Sequence, residues 1–310
     1  ISSFISKKIA NKLKDLLKNN PSFYAEIWDS ISAFVKIGVM EDEKFSELAQ
    51  NSIIFETKIG LNLEKEKEIE NKFLIKFNNK FFTTLENYSN RNKIDNDNKI
   101  IYCTDEISQS NALNLWLSNN REVIKADPLI DAQFIPWLES QNEKYKFQRV
   151  DSEINDELEK DSPEIVDKDG KSNADNIKEI ITKALNNEKV TVKVQSLKNN
   201  NAPPALILLP EQMRRINDMG AYMEQKIPGL PEYHVLLVNK DHPLINGLIK
   251  FTDKKIILNE KDSDESSLTG RIANHIYAMA KLTVGGLDQK QIVDLQLNNA
   301  ELLTELLNSN

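Results

Sequence analysis

Four side chains in this 310-residue sequence are the obvious candidates for catalysis or metal binding, namely Cys103, His234, His242 and His275. The histidines lack the mutual spacing of a metal site, and none is near enough in sequence to Cys103 to activate its thiol. Cys103 lies in an apolar run, which predicts a small buried side chain. His242 precedes a proline, so we expect it to fix a turn by hydrogen bonding to the backbone. We therefore expect no metal, no catalytic residue and no enzyme activity.

Two further stretches are candidates for ion or phosphate binding. The acidic stretch Val150–Ser172 contains Asp-Lys-Asp-Gly but lacks the spaced oxygens and closing glutamate of a calcium loop. The acidic composition of this stretch instead predicts a linker that is flexible at least in part. The strand KIIYCT is followed by Asp105-Glu106 in place of a glycine-rich turn, and these carboxylates would repel a pyrophosphate. A dinucleotide site is therefore excluded there.

Composition excludes other classes of protein. The net charge is −8 and no basic face is visible, which argues against nucleic acid as a partner. No apolar run approaches the roughly 20 residues of a membrane span. A single cysteine rules out intramolecular disulfides and fits a reducing cytoplasm. The first 17 residues do not form a signal peptide, and the absence of an initial methionine predicts a fragment of a longer protein.

Hydrophobic spacing in the first half predicts a helical lead-in followed by a small α/β unit. A helix is expected over Ile1–Leu17, and a second from Ser22, as N-cap, to Val35, closed by Gly38. Thr83 and Glu86 fit a capping box. Strands and helices then alternate through Lys99–Val150, which predicts a small parallel sheet.

The second half predicts an α+β unit. A helix is expected over Ala174–Leu185, followed by strands in VTVKVQSL, ALILL and YHVLLVN. The fold class is therefore mixed, with an α/β unit in residues 1–160 and an α+β unit in residues 161–310. The acidic stretch would form the boundary.

Two apolar stripes have helical spacing, so each is expected to pack against other protein surface. The first contains Met213, Ile216, Met219, Tyr222 and Met223, and its methionines suit either a core or an adaptable binding face. The second occupies the last forty-odd residues and consists of Leu268, Ile272, Ile276, Met279, Leu282, Ile292, Leu295, Leu302, Leu303, Leu306 and Leu307. Either the same domain folds over this second stripe or a second copy of the chain covers it.

Five segments resemble the heat-shock protein 90 chaperones of the bacterial HtpG type. They are LPEQMRRINDM, VNKDHPLI, FYAEIWDSISAFVKIGVMED, KIIYCT and EVIKADPLIDAQFIPWLE. The resemblance covers essentially the whole chain, from late in the family's middle domain to its carboxy terminus. It implies that the ATP and magnesium site lies in a preceding domain, so this chain would hold no cofactor.

The resemblance also implies partners and surfaces. The helix from about Glu211 to Met223 would face unfolded client proteins, with Phe134 and Trp137 as candidate exposed aromatics of the middle domain. The two terminal helices would form a four-helix bundle with a second subunit. Arg214 and Arg215 are interpreted as solvating the polar face of the client helix. The alternatives are a dimeric, non-enzymatic adaptor and an enzyme built on the parallel sheet.

Overall fold

The computed structural model describes residues 2–60, 74–92, 99–141, 144–152, 154, 158–160, 172–199, 201–210, 230–257 and 267–308. The chain divides into two compact units. The first comprises Ile1–Asp105 and Trp116–Val150, and the second comprises Glu106–Leu115 and Asp151–Asn310. Both combine helices with a β-sheet, which confirms the predicted mixed class. The functional domain limits at 160 and 161 stay a prediction.

The first unit begins with helices and continues into a six-stranded mixed sheet. Its elements are α1 (Ser2–Asn19), α2 (Pro21–Glu41), α3 (Glu43–Ala49), β1 (Ile54–Lys58), β2 (Ile75–Phe77), β3 (Lys80–Thr84), α4 (Leu85–Asn92), β4 (Ile100–Cys103), α5 (Ser110–Ser118, whose first residues are assigned to the second unit), β5 (Val123–Lys125), α6 (Asp131–Gln141) and β6 (Phe147–Arg149). The strand order is β2-β3-β1-β5-β4-β6.

The predicted parallel sheet is one half of this larger sheet. Strand β4 pairs in parallel with β5 and with β6, as the alternation of strands and helices indicates. Strand β1 then adds to β5 in the antiparallel sense and carries the β2–β3 hairpin. Asn78 and Asn79 connect that hairpin with positive φ angles of 46° and 61°. Asparagine tolerates this left-handed region, which two-residue hairpin turns require.

Helix α2 starts earlier and ends later than predicted. Its N-cap is Asn20, whose side-chain oxygen accepts the amide of Phe23, and Pro21 occupies the first helical position. Gly38 does not close the helix, because it lies within it. A Cβ at Gly38 would lie 3.1 Å from the ring of Phe45. The glycine therefore lets α3 approach α2 closely.

Two other local predictions for the first unit concern the burial of Cys103 and the capping box at Thr83. Cys103 is fully buried, as predicted. The residue that caps α4 is Thr84 and not the predicted Thr83, because the amide of Asn87 donates to the hydroxyl of Thr84. Thr83 instead accepts a hydrogen bond from Arg91. The unit's core includes fully buried Tyr24, Phe55, Phe82, Tyr88 and Trp116.

The second unit places helices around a three-stranded sheet. Its elements are α7 (Asn173–Leu185), β7 (Val190–Gln195), β8 (Ala205–Leu208), β9 (His234–Asn239), α8 (Pro243–Ile257), α9 (Leu268–Thr283) and α10 (Gln289–Asn308). The strand order is β7-β9-β8, with β9 parallel to β7 and antiparallel to β8. Its core includes Ile181, Leu236, Val238, Ile245 and Ala273. Helix α8 was not predicted, because His242-Pro243 was interpreted only as a stop.

Part of the acidic stretch is structured. Leu158 is fully buried, and its carbonyl accepts the amide of Lys198. Glu159 forms a bridge with Leu197, and the amide of Lys160 donates to the carbonyl of Ser196. One apolar residue therefore ties this acidic segment to the second unit. Residues 161–171 lie outside the described part of the chain.

Candidate functional site

Helices α9 and α10 are joined by a tight turn and held side by side. Asp288 caps α10 by accepting the amide of Gln291, whose side chain accepts the amide of Asp288 in return. Gly285 has a φ of 68°, the left-handed conformation typical of a residue that ends a helix. Arg271 reaches from α9 to Glu305 on α10 at 2.6 Å and to Glu301 at 3.4 Å. The two helices therefore run antiparallel.

One face of this helix pair is apolar and exposed. We call it the terminal apolar face, and it consists of Met279, Leu282, Ile292, Val293, Leu297, Leu303 and Leu307. Exposed fractions range from 37% at Ile292 to 79% at Leu307. At about 100° per residue, the five positions on α10 form one continuous strip beside the inward-facing Leu295. The five α10 side chains therefore form a contiguous candidate interaction surface, and Met279 and Leu282 are further exposed apolar side chains on α9.

The structure sorts the residues predicted for the dimer interface into exposed, intermediate and buried groups. Met279, Leu282, Ile292 and Leu303 are exposed. Leu268, Ile272 and Leu302 are half-buried, and nothing is described of the Leu306 side chain. Ile276 and Leu295 are only 2% and 8% exposed within one copy. Their assignment to an intermolecular surface is wrong, because the chain itself covers them.

Sequence reasoning missed two residues of this face, Val293 and Leu297. They are four residues apart on α10, so they share one side of the helix, and both are exposed. Helical spacing could have found them. The sequence stripe was drawn instead through Leu295, which faces inward.

The residues predicted for client binding are only partly described. Met213, Ile216, Met219, Tyr222 and Met223 lie outside the described residues. Phe134 is fully buried, and its ring stacks on Phe55 and Trp137. The expectation that Phe134 is an exposed aromatic is therefore wrong, because this side chain belongs to the core of the first unit. Trp137 is half-buried, and its proposed role stays a prediction.

A cavity of about 280 Å³ in the first unit lies against a buried ion pair that the sequence did not reveal. The ammonium of Lys36 is 2.7 and 2.8 Å from the two carboxylate oxygens of Asp131. The same ammonium lies 4.9 Å from the centre of the Phe55 ring. Burial raises the pKa of Asp131, while Lys36 opposes that rise. The pair has the character of a core element, because two opposite charges, both almost fully buried, lie in direct contact.

The three histidines have structural surroundings. His234 donates from Nδ1 to the carbonyl of Pro231, and its Nε2 accepts from the Tyr277 hydroxyl, each at 2.8 Å. Nδ1 of His242 accepts the amide of Leu244 at 3.1 Å, which confirms the predicted hydrogen bond to backbone. His275 has a buried Nδ1 without a hydrogen-bond partner among the described residues. Burial raises the pKa of Tyr277 to about 12, so its hydroxyl stays protonated near neutral pH.

The surroundings of these histidines predict that the folded chain becomes less stable in mild acid. Burial lowers the pKa of His234, His242 and His275 below the ordinary value of 6.5. The unfolded chain therefore binds more protons as the pH falls below 6.5, and folding stability declines from there towards the lowered values. Urea unfolding at pH 7.5, 6.5 and 5.5 should show a falling midpoint. His242→Asn keeps a side-chain acceptor for the Leu244 amide that does not titrate in this range, so the urea midpoint of this variant should fall less. A midpoint of the unchanged chain that stays constant or rises as the pH falls would contradict the prediction.

No group of three or more histidine, cysteine, aspartate or glutamate side chains in the described ranges could hold a metal ion. None of the helices in those ranges combines the length and apolar character that crossing a bilayer takes.

Comparison with known proteins identifies the family. The sequence model described as Hsp90 protein matches residues 1–299. The chaperone protein HtpG of Porphyromonas gingivalis is 30% identical over 280 residues, which cover 87% of this chain and 36% of that relative. HtpG of Bacteroides fragilis is 27% identical over 268 residues, covering 82% and 36%, and HtpG of Bacteroides thetaiotaomicron is 26% identical over 262 residues, covering 80% and 35%.

The chain spans little more than a third of the length of these relatives. The match nevertheless extends through both units and includes α9 and the first half of α10. The chain belongs to the Hsp90 family of chaperones.

Proposed function

We propose that this chain is the part of an Hsp90-type chaperone that joins two subunits and presents a surface to unfolded client proteins. The observation that carries the proposal is the terminal apolar face, with seven exposed apolar side chains on α9 and α10. Membership of the Hsp90 family supports the chaperone role. The ATP and magnesium site would lie in the part of the relatives that this chain does not match, and the protein would act in the cytoplasm.

The exposed side chains give association a driving force. Full burial of a large aliphatic side chain contributes roughly 1.5–3 kcal/mol, so burial of the exposed half contributes about 1 kcal/mol. Burial of seven such side chains in each copy would contribute about 14 kcal/mol to the association of a pair. The loss of translational and rotational freedom opposes association by roughly 4–15 kcal/mol. A reversible dimer is therefore expected.

A two-fold pair is the simplest arrangement. The face is a single strip along α10 with additions from α9, so a second copy related by a two-fold axis would offer an equivalent strip. Two helix pairs that meet in this way form a four-helix bundle. The Arg271 ion pairs lie between α9 and α10 of one copy. These ion pairs would fix the orientation of α10 relative to α9 before two copies associate.

Client binding would use other surfaces of the same dimer. We assign it to the segment containing Met213, Ile216, Met219, Tyr222 and Met223, together with Trp137. The support is the spacing of flexible methionine side chains and membership of the family. Dimerisation would place two such surfaces in one assembly, so a client could contact both.

Sedimentation equilibrium tests the dimer. Changing Leu297 and Leu303 together to Ser should weaken self-association at least about a hundredfold, because four apolar side chains leave the interface of a pair. Urea unfolding at low protein concentration should change little, since both residues are exposed. Asn298→Ser, on the opposite side of α10, is the matched control and should remain as dimeric as the unchanged chain.

A second measurement on the same proteins separates a chaperone from an adaptor. The unchanged chain should suppress aggregation of a chemically unfolded protein, and the monomeric variant should do so less well. A dimer without suppression would favour the adaptor. Equal self-association of the unchanged chain and the double variant would overturn the assignment of the face.

A further inference from the structure

A second cavity lies in the second unit, where β9 ends and α8 begins. Its volume is about 410 Å³. It is lined by Lys160, Leu197, Asn199, Asn239, Asp241, His242 and Pro243. No part of the terminal apolar face lines it. The chemistry of this lining therefore needs its own explanation.

Asn239 presents an unpaired donor to the cavity. Its side chain is 96% buried, since only 4% of the residue surface is exposed. The amide oxygen accepts the backbone amides of Asp241 at 3.3 Å and Leu197 at 3.5 Å, which fixes the orientation of the side chain. The amide nitrogen has no hydrogen-bond partner among the described residues, and it is not sealed from solvent. A buried amide normally pairs its NH₂ group, so this donor points to a missing acceptor.

His242 adds a second donor of fixed type. Its Nδ1 accepts the amide of Leu244, so the proton of the neutral ring is on Nε2. Nε2 has no partner among the described residues. The 15-residue helix α8 begins at Pro243, and its amino-terminal end contributes a partial positive charge. Lys160 lies at the rim, where no described carboxylate pairs with it.

We propose that this cavity binds a carboxylate group, supplied by an aspartate or glutamate side chain or by the carboxy terminus of a peptide. The Asn239 amide and the His242 Nε2–H group donate to the two oxygens, and Lys160 balances their charge. Asp241 at the rim limits the site to one negative charge, so a carboxylate is favoured over a phosphate dianion. All of the lining residues belong to the second unit.

Histidine NMR gives a direct test, because the chain has only three histidines. Acetate is titrated into the full chain, and sodium chloride at equal ionic strength is the control. The ring signals of His242 should shift saturably with acetate, while those of His234 and His275 stay in place because neither residue lines the cavity. Phosphate should give a weaker shift. Acetyl peptides ending in a free carboxylate, in an amidated glutamate or in an amidated glutamine then distinguish the two sources of carboxylate.

Two variants decide the assignment. Asn239→Asp keeps the oxygen that accepts the Leu197 and Asp241 amides but replaces the free donor by a negative charge. It should lower acetate affinity at least about tenfold while the protein stays folded. Asp241→Asn should raise the affinity. The proposal is overturned if His242 responds to acetate no more than to chloride, if Asn239→Asp binds equally well, or if phosphate binds more tightly than acetate.

Discussion

Asp131→Asn is expected to destabilise the first unit by about 3–5 kcal/mol. The side-chain oxygen of the new amide would still accept the backbone amide of Asp127, which lies 2.7 Å from the Asp131 carboxylate. The ammonium of Lys36, however, would lose both charged contacts while remaining only 4% exposed. Its charge would stay among the rings of Phe55 and Phe134 without a counter-ion. Urea unfolding followed by tryptophan fluorescence measures the loss.

The double variant Lys36→Met with Asp131→Asn is the control. Methionine fits an aromatic surrounding and carries no charge, so removal of both charges should recover most of the lost stability. Lys36→Met alone leaves the Asp131 carboxylate buried and should also destabilise. Equal stability of Asp131→Asn and the double variant would show that the ion pair does not set the cost.

Gly60→Ala is expected to cost about 3 kcal/mol or more. A Cβ at Gly60 would overlap the backbone carbonyl oxygen of Leu117, at the end of α5. No rotation of a side chain relieves this clash, because the neighbouring atom belongs to the backbone. The chain after β1 or the end of α5 would have to move, and Gly60 itself is buried.

Gly247→Ala is the matched control for that substitution. Gly247 lies in α8, and a Cβ there would meet nothing within 4 Å. Alanine is the better helix former by roughly 0.5–1 kcal/mol, so this change should stabilise slightly. A loss below about 1 kcal/mol for Gly60→Ala would contradict the close approach of Gly60 to Leu117.

Local patterns predicted much of the fold. The apolar spacing of α1 and the alternating valines of β7 are properties of neighbouring residues, and both elements form where expected. Asn78-Asn79 could also have predicted the β2–β3 hairpin. The close approach around Gly38 is different, because it depends on the ring of Phe45 in another helix. No spacing within α2 reports such a contact.

Long-range pairing limited prediction of the candidate sites. Lys36 and Asp131 are 95 residues apart, and the one local signal was a lysine inside the apolar run AFVKIGV. The terminal helices were predicted, but helical spacing alone cannot tell which apolar residues one copy covers. Leu295 faces inward and Leu297 faces solvent only because Arg271 and the turn at Gly285 fix how α10 lies on α9.

The order of strands in the second unit has a consequence for synthesis on the ribosome. Strands β7 and β8 both pair with β9, which is the central strand and the last of the three in the chain. Neither strand has its partner until His234–Asn239 has left the exit tunnel. Val190 pairs with His234, which follows it by 44 residues in the sequence. The sheet therefore closes late, and nascent β7 and β8 expose their apolar faces in the meantime. Until β9 is available, β7 and β8 are therefore the strands of the second unit that are most open to pairing with other chains.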